Sequence, residues 1–344
     1  MSTSNLDSYN LKQVAVNGLI NEDVMNKIWD ISKIPLPLTD MIGTDSHSNE
    51  YYEWTQDELA APVTTNKTID GSDQDAATND TSTGSRVGNH SQTSVKNVRV
   101  STRAIESDTI GRANELSYQV MMRQQELRRD CEAAMLSNNP SIAGTDAVAG
   151  QSGGLNAWLE TNVSFGTGGS AGGYNTGTGI VDAATLGTAE ALTEAKVRDV
   201  AEDIYTEGGN PTVLMMVPSV CRKFSEYLFS SSARIATLTS ETGQSESGAT
   251  AKGSVNVFVT DFGVTLDLIP NRLQQNTGTD ESSAFMLDPM HLRQSFLHSF
   301  RTEPLAKVGL SEKRLMSADW TLVCTTEKAH GLIGDIDNTA AVTA

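Results

Sequence analysis

One long amphipathic pattern, from residue 103 to residue 137, constrains the fold more than any other feature of the sequence. Apolar side chains recur there at roughly helical spacing, and charged side chains fill the opposite face. A helix of about 30 residues would span about 45 Å, whereas helices in globular domains average about 11–12 residues. Arg128 and Glu132 lie four residues apart and are expected to form a surface ion pair. The apolar positions are Leu116, Val120, Leu127, Cys131, Ala134 and Met135.

A polar tract between residues 66 and 92 separates two segments that favour strands. The tract is dominated by Asn, Asp, Ser, Thr and Gly and cannot bury a core of its own. A loop of this length is unusual inside a compact domain. We therefore interpret residues 46–100 as an excursion, out along one strand and back along another, that packs on a neighbouring subunit. The strand-favouring residues are Tyr52, Trp54, Val95, Val98 and Val100.

The charge of the chain argues against tight binding of nucleic acid. The 344 residues carry a formal net charge of −18, and DNA carries about one negative charge per 1.7 Å of duplex. A wall that repels DNA weakly can still enclose it. The alternative is that the acidity only keeps the protein soluble.

The cysteine pattern indicates free thiols in a reducing cytoplasm. Cys131, Cys221 and Cys324 are far apart and form no CxxC pair. No apolar run approaches 18 residues, so no membrane span is expected. The N-terminal sequence lacks the basic and apolar regions of a signal peptide.

The second half of the chain predicts alternating helices and strands. A helix should start at Thr188, with Glu190 in its first turn, and end near Gly208. The apolar run at 212–217 is typical of a central strand, and Pro218 should open another helix. Val220, Phe224 and Leu228 should face inward on that helix, and further strands are expected at 255–263, 264–270 and 284–289.

Two other stretches have weaker patterns. Residues 24–31 have apolar positions at helical spacing, and the prolines after them end any helix. Residues 138–187 are rich in glycine and read as loop, with a short element near 155–159.

Three local patterns invite a chemical interpretation that their context does not support. Residues 150–154 fit GxSxG, but no convincing strand precedes Ser152, so a flexible loop is favoured over a nucleophile elbow. The glycines at 166–173 lack the lysine and spacing of a phosphate loop and indicate a flexible surface loop. The acidic residues Asp70, Asp73, Asp75 and Asp80 fail the EF-hand pattern and indicate a solvated loop.

The histidines form neither HxH nor HExxH, so packing or surface roles are favoured over metal binding. They are His47, His90, His291, His298 and His330. We therefore expect no catalytic residue, no metal ligand, no cofactor site and no enzymatic activity.

Several segments, taken in order, carry a family resemblance. They are EWTQDELAAP at 53–62 with NHSQTSVKNVRVS at 89–101, ELSYQVMMRQQELRRDCEAAML at 115–136, NPTVLMMVPSVCRKF at 210–224, FVTDFGVTLDLIPNRLQ at 258–274, FMLDPMHLRQSFL at 285–297, and residues 305–336. This set resembles the major capsid proteins of tailed bacteriophages with the Hong-Kong-97-type fold, in a podophage-like branch.

The resemblance implies an α+β fold with a defined order of parts. It implies an N-terminal arm at 1–45, an extended loop at 46–100, and a spine helix with the first part of a peripheral domain at 101–187. An axial domain would occupy 188–290, and residues 291–344 would return to the peripheral domain and form the C-terminal tail.

The function implied is that of a structural subunit of an icosahedral shell. Copies would form hexamers and pentamers and enclose double-stranded DNA without binding it specifically. A separate scaffolding protein and a portal would take part, with a decoration protein as a further candidate partner, and no membrane. The protein would assemble in the host bacterial cytoplasm and reside in the virion. Lys67 and Lys96 lie where some relatives cross-link, but no cross-link is predicted.

Two alternatives stay open at this point. One is another phage structural protein, such as a decoration or tail component, which a near absence of helix would favour. The other is a soluble enzyme with an unrecognised site, which several carboxylates buried around one cleft would favour.

Overall fold

The computed structural model describes residues 35–67, 69–71, 84–107, 114–230, 257–260, 262–274 and 281–341, with side chains from 226 to 230 excepted. The helix predicted at 24–31 and the inward position of Leu228 lie outside the described residues. No helix in the described ranges is both long enough and apolar enough to cross a membrane.

Six helices and fourteen strands form within those ranges. The helices are α1 Pro37–Met41, α2 Thr102–Glu106, α3 Glu115–Met135, α4 Leu155–Trp158, α5 Glu194–Thr206 and α6 Pro218–Ser230. The strands are β1 Gly43–Ser46, β2 Tyr51–Gln56, β3 Ser85–His90, β4 Gln92–Ser101, β5 Val163–Ser164, β6 Gly173–Asn175, β7 Ile180–Asp182, β8 Val213–Met216, β9 Val257–Val259, β10 Thr265–Pro270, β11 Glu281–Leu287, β12 Leu292–Pro304, β13 Ser311–Cys324 and β14 Gly331–Asp337. Two 3-10 turns span Pro289–His291 and Glu327–Ala329.

Two larger sheets organise these strands. A four-stranded sheet has the order β1-β12-β13-β4, and a six-stranded mixed sheet has the order β5-β14-β11-β8-β10-β9. Within the second sheet, β8 runs parallel to β10 and antiparallel to β11. All four residues of β8 are buried, which confirms the central strand predicted at 212–217.

Helices α5 and α6 cover the six-stranded sheet with apolar side chains. Their buried residues pack with residues of β8, β10, β11 and β14 in one cluster. The predicted inward positions Val220 and Phe224 are confirmed, and Phe224 packs edge-on against Phe258 of β9 at 5.6 Å between ring centroids. Other members are Leu192, Val197, Val200, Ala201, Ile204, Leu214, Met216, Val217, Leu266, Ala284, Met286, Ile333 and Ile336.

Helix α5 begins later than the sequence predicts. The Thr193 hydroxyl accepts the backbone N–H of Lys196 at 3.1 Å, which makes Thr193 the N-cap in place of Thr188. Glu190 is instead extended, and its N–H donates to the Asp335 carbonyl of β14 at 2.8 Å. The predicted end is confirmed, because Gly208 follows the helix with φ +92°.

The long helix predicted at 103–137 is two helices. Helix α2 ends at Glu106, where Ser107 adopts an extended conformation with ψ 138°. Helix α3 then has 21 residues and a length of about 32 Å at 1.5 Å per residue. The prediction was wrong in extent, since the periodicity of apolar residues does not reveal the helix end at Glu106.

The expected ion pair between Arg128 and Glu132 is also wrong. Glu132 is fully buried on α3, and its carboxylate accepts the N–H groups of Leu38 and Thr39 at 3.4 and 3.3 Å. It also accepts the Thr39 hydroxyl at 3.0 Å and the Asn271 amide at 2.8 Å. Burial raises the pKa of Glu132, and these hydrogen bonds oppose that rise. The Arg128 guanidinium instead lies 5.3 Å from the centroid of the Phe300 ring.

The excursion predicted at 46–100 does go out along one strand and back along another. Strands β2 and β3 pair antiparallel, with Tyr51 opposite His90 and Gln56 opposite Ser85. The chain then continues into β4, which is an edge strand of the four-stranded sheet. The strand-favouring residues of the sequence lie in β2 and β4, as expected.

Parts of the glycine-rich stretch at 138–187 are closely packed, in contrast to the flexible loops predicted from it, whereas residues 145–149 and 175–178 are exposed. Residues 152–159 are buried without interruption. A Cβ on Gly154 would overlap the Ser137 carbonyl oxygen, and one on Gly166 would overlap the Thr188 carbonyl oxygen. These glycines are therefore required for close approach of two backbones.

A buried aspartate fixes one end of this stretch. The Asp335 carboxylate accepts the N–H of Gly166 at 3.1 Å and that of Gly187 at 2.8 Å. Asp335 has φ +53°, a left-handed conformation that aspartate tolerates better than most residues. It lies where the pairing of β11 with β14 shifts register, so a bulge turns its side chain toward the glycines.

The chain divides into two compact units. The described residues of the smaller unit fall within 97–123 and 303–315. There, the Thr102 N–H donates to the Leu310 carbonyl and the Leu305 N–H to the Lys313 carbonyl, each at 3.1 Å. Arg99 donates from Nε to the Ser311 hydroxyl at 3.1 Å. The larger unit contains the six-stranded sheet, the helices α5 and α6 that cover it, and the Glu132 site.

Substitution of Gly166 tests the packing of the glycine-rich stretch. Gly166→Ala should lower the free energy of unfolding by about 3 kcal/mol, the upper range for overpacking of a rigid site. Gly43→Ala is the matched control, because its Cβ would meet only the flexible Arg293 side chain at 3.6 Å. Urea unfolding of the unassembled chain measures both, and equal effects of the two changes would contradict the packing described.

Candidate functional site

The Ser152 hydroxyl is buried in a structural network and not poised for catalysis. It accepts the Leu322 N–H at 3.1 Å and the Asn89 side-chain amide at 3.2 Å. It also lies 3.3 Å from the Thr321 hydroxyl. Neither a histidine nor a carboxylate is among these partners, so the geometry of a nucleophile elbow is not present at this serine.

The acidic and histidine candidates do not assemble into a metal site in the part of the chain that is described. No group of three or more His, Cys, Asp or Glu residues there could hold a metal ion. Of the acidic quartet only Asp70 is described, because Asp73, Asp75 and Asp80 lie outside those ranges. The predicted solvated loop is therefore tested only at Asp70, which is exposed.

The histidines near the end of the chain have separate environments. His330 is fully buried, and burial lowers its pKa to about 3. Its Nδ1 accepts the Asp288 N–H at 3.2 Å. The His291 ring is 43% exposed and lies 3.8 Å from the Asp288 carboxylate. His298 lies on β12, so it shares no helical face with His291.

The three cysteines are free, as predicted. Burial raises the pKa of Cys131 and of Cys221 to about 12, and it raises the pKa of Cys324 still further. Thiols of this kind are mostly protonated at neutral pH and are poor nucleophiles.

A further buried polar site lies at the root of the excursion, where its two ends meet at His47 and Ser91, and no sequence motif predicted it. His47 is the residue after β1, and Ser91 lies between β3 and β4. The His47 ring lies between two hydroxyls, with Nε2 at 2.5 Å from Ser91 Oγ and Nδ1 at 2.8 Å from Ser295 Oγ of β12. One side chain thus joins both ends of the excursion to one strand of the sheet.

Aromatic residues pack the first strand of the excursion onto the glycine-rich stretch. Trp54 lies 5.4 Å from buried Trp158 of α4, between ring centroids. Trp158 in turn stacks on Tyr174 at 5.9 Å. The Tyr51 hydroxyl donates to the Gly179 carbonyl at 2.8 Å and lies 3.0 Å from the Tyr174 hydroxyl. Burial raises the pKa of Tyr51, and the bond with Tyr174 adds to the rise.

Polar contacts continue this attachment from the last residue of β2 to Glu58. The Gln56 amide donates to the Thr325 carbonyl at 2.7 Å. Lys328 lies 2.9 Å from both Glu58 and Glu207, and these bonds raise its pKa to about 12. The segment from Tyr51 to Glu58 is therefore anchored on its own subunit.

The segment that follows Glu58 presents apolar side chains to solvent. Leu59 is 95% exposed, Val63 63% and Ile69 82%. Single exposed apolar residues are ordinary, whereas contiguous exposed apolar patches mark contact surfaces.

A match to a protein-family model identifies the family of this chain. The model described as "SU10 major capsid protein" matches residues 3–337. The chain belongs to the SU10 major capsid protein family. It is therefore a structural protein that forms an icosahedral shell, its place is the capsid of the virion, and it is not an enzyme.

Solved structures show the same fold at low sequence identity. The capsid of a native GTA particle is 12% identical, with a TM-score of 0.60, over 96% of this chain and 100% of that chain. The SrpI encapsulin of Synechococcus elongatus PCC 7942 is 11% identical, with a TM-score of 0.56, over 98% of both chains. A structure from Gordonia phage Cozz is 11% identical, with a TM-score of 0.53, over 92% of this chain and 91% of that chain. The predicted Hong-Kong-97-type α+β fold is confirmed, and no curated protein matches the chain.

Substitution of Ser152 distinguishes a structural hydroxyl from a catalytic one. Ser152→Ala should lower the free energy of unfolding by about 1–3 kcal/mol, because buried donors of the network lose their acceptor. The wild-type chain should not react with a fluorophosphonate probe for activated serines. Labelling at Ser152, or a variant as stable as the wild type, would contradict this role.

Proposed function

We propose that this capsid protein forms hexamers and pentamers that close around double-stranded DNA. The observation that carries the proposal is the exposed apolar segment beyond the anchored root, at Leu59, Val63 and Ile69. A chain in a shell contacts several copies of itself through unlike surfaces, and a protruding segment supplies such a contact. We propose that this segment packs on a neighbouring subunit.

The domain division expected from the sequence supports this arrangement with one adjustment. We propose an arm at 1–45, an axial domain at 188–290, and a peripheral domain built from 101–187 and 291–344. Since β4 is a strand of the four-stranded sheet, the part of 46–100 that reaches a neighbour is better limited to the stretch between β2 and β3. Membership of a podophage-like branch is supported by the ordered sequence segments alone.

The partners of the shell are also proposals. A separate scaffolding protein, a portal and a decoration protein fit the expected phage particle. The formal charge of −18 fits a wall that encloses DNA without gripping it.

Electron microscopy with sedimentation velocity tests the assembly. The full chain, expressed alone and with its scaffolding protein, should give closed shells or rings of five and six copies. Persistent monomers or dimers in both preparations would overturn the hexamer and pentamer proposal.

Removal of the apolar side chains tests the segment itself. Leu59→Ser, Val63→Ser and Ile69→Ser together should leave thermal stability unchanged, because these side chains are exposed, and should strongly reduce shell yield. The matched control changes Thr64, Thr65 and Asn66 to serine in the same exposed stretch. Wild-type yield from the apolar variant, or an equal loss in the control, would refute the contact.

A further inference from the structure

One buried histidine joins the two ends of the excursion. The chain leaves the sheet at His47 and returns at Ser91, and the ring of His47 bonds to the Ser91 hydroxyl and to Ser295 of β12. The Ser91 N–H also donates to the Glu50 carbonyl at 2.8 Å, which closes the root on the backbone side.

The two serine hydroxyls can satisfy both hydrogen-bonding nitrogens of a neutral His47 ring. In the neutral imidazole one nitrogen donates a hydrogen bond and the other accepts one, and a serine hydroxyl can serve either role. His47 is only 9% exposed. A second proton would turn both nitrogens into donors, so one serine hydroxyl would have to rotate, and the cation would sit away from water.

A second histidine lies at the same root. His90 is opposite Tyr51 in the β2–β3 pairing, with 4.6 Å between ring centroids. Its Nδ1 is buried and has no hydrogen-bond partner among the described residues. Burial lowers the pKa of both His47 and His90, and nearby carboxylates oppose this only in part.

Charged groups face the root from several elements. Asp45 and Asp319 act on His47, Glu50 acts on His90, and Tyr52 packs on His47 at 5.3 Å with its hydroxyl 3.4 Å from Asp45. The others are Tyr51 and Glu53 of β2, Arg86 of β3 and Arg293 of β12. The carboxylates reduce the free-energy cost of burying a charged histidine ring, but they do not abolish that cost.

We propose that His47 and His90 form an acid-sensitive clamp that holds the root of the excursion on the sheet at neutral pH and releases it on acidification. Because both rings bind protons less readily when the root is closed, the open root binds more protons. The closed root is therefore favoured above the ordinary histidine value of about 6.5 and loses that advantage as pH falls below it. The clamp does not depend on whether the shell contains hexamers and pentamers.

Hydrogen exchange of the full unassembled chain tests the clamp. Protection of peptides from 47–56 and 85–91, corrected for intrinsic exchange rates, is compared at about pH 7.5 and about pH 5.5. We expect it to fall severalfold on acidification, relative to a peptide from β8. Constant relative protection in the wild type would overturn the proposal without any variant.

Variants assign the effect to the two rings. His47→Gln with His90→Gln keeps hydrogen-bonding groups that do not titrate, so root protection should become independent of pH. His291→Gln, at a ring that is 43% exposed, should keep the wild-type response. If the double variant does not fold, Ser91→Ala replaces it and should lower root protection at neutral pH. An acid response that persists in full in the double variant, or a Ser91→Ala root as protected as the wild type, would overturn the clamp.

Discussion

The larger unit depends on one buried carboxylate. Glu132 lies on α3, and its oxygens accept hydrogen bonds from α1, which precedes β1, and from Asn271, which follows β10. An unpaired charge in such a position would cost several kcal/mol. Segments 93 and 139 residues away in sequence are therefore tied to the same helix. These hydrogen bonds position β1, the first strand of the four-stranded sheet. They also position the end of β10, an interior strand of the six-stranded sheet.

The rigidity needed to hold the excursion comes from a stretch that resembles a flexible linker in sequence. The glycines at 154 and 166 allow backbones to approach where any side chain would collide. Trp158 is buried within this stretch, and Trp54 of the excursion packs against it. The excursion is thus anchored to its own subunit by aromatic contacts, by Gln56 and by Lys328. The proposed contact with another copy lies in the segment beyond Glu58.

Much of the fold could be predicted because it depends on local patterns. The buried run of β8, the proline that opens α6, the glycine that ends α5 and the pairing of the two arms of the excursion all follow from short sequence signals. The fold and the family followed from the order of those elements. The capsid assignment therefore rests on many weak signals that agree, which is how a consistent sequence specifies a structure.

The errors have a common physical cause, which is that the partners lie far away in sequence. Glu132 was assigned to the surface because Arg128 is four residues away, whereas its partners lie in α1 and beyond β10. The N-cap at Thr193 depends on Glu190 pairing with β14. The His47 site combines residues 44 and 248 positions apart with no motif between them. No local pattern could have indicated it.

The central claim is that Glu132 couples α3 to the end of β10, and a double-mutant cycle measures that coupling directly. Urea unfolding of the unassembled chain would compare the wild type with Glu132→Ala, Asn271→Ala and the double variant. A coupling energy of about 1–3 kcal/mol is expected, because each single change leaves a buried polar group without its partner. Effects that add to within about 0.5 kcal/mol would contradict it.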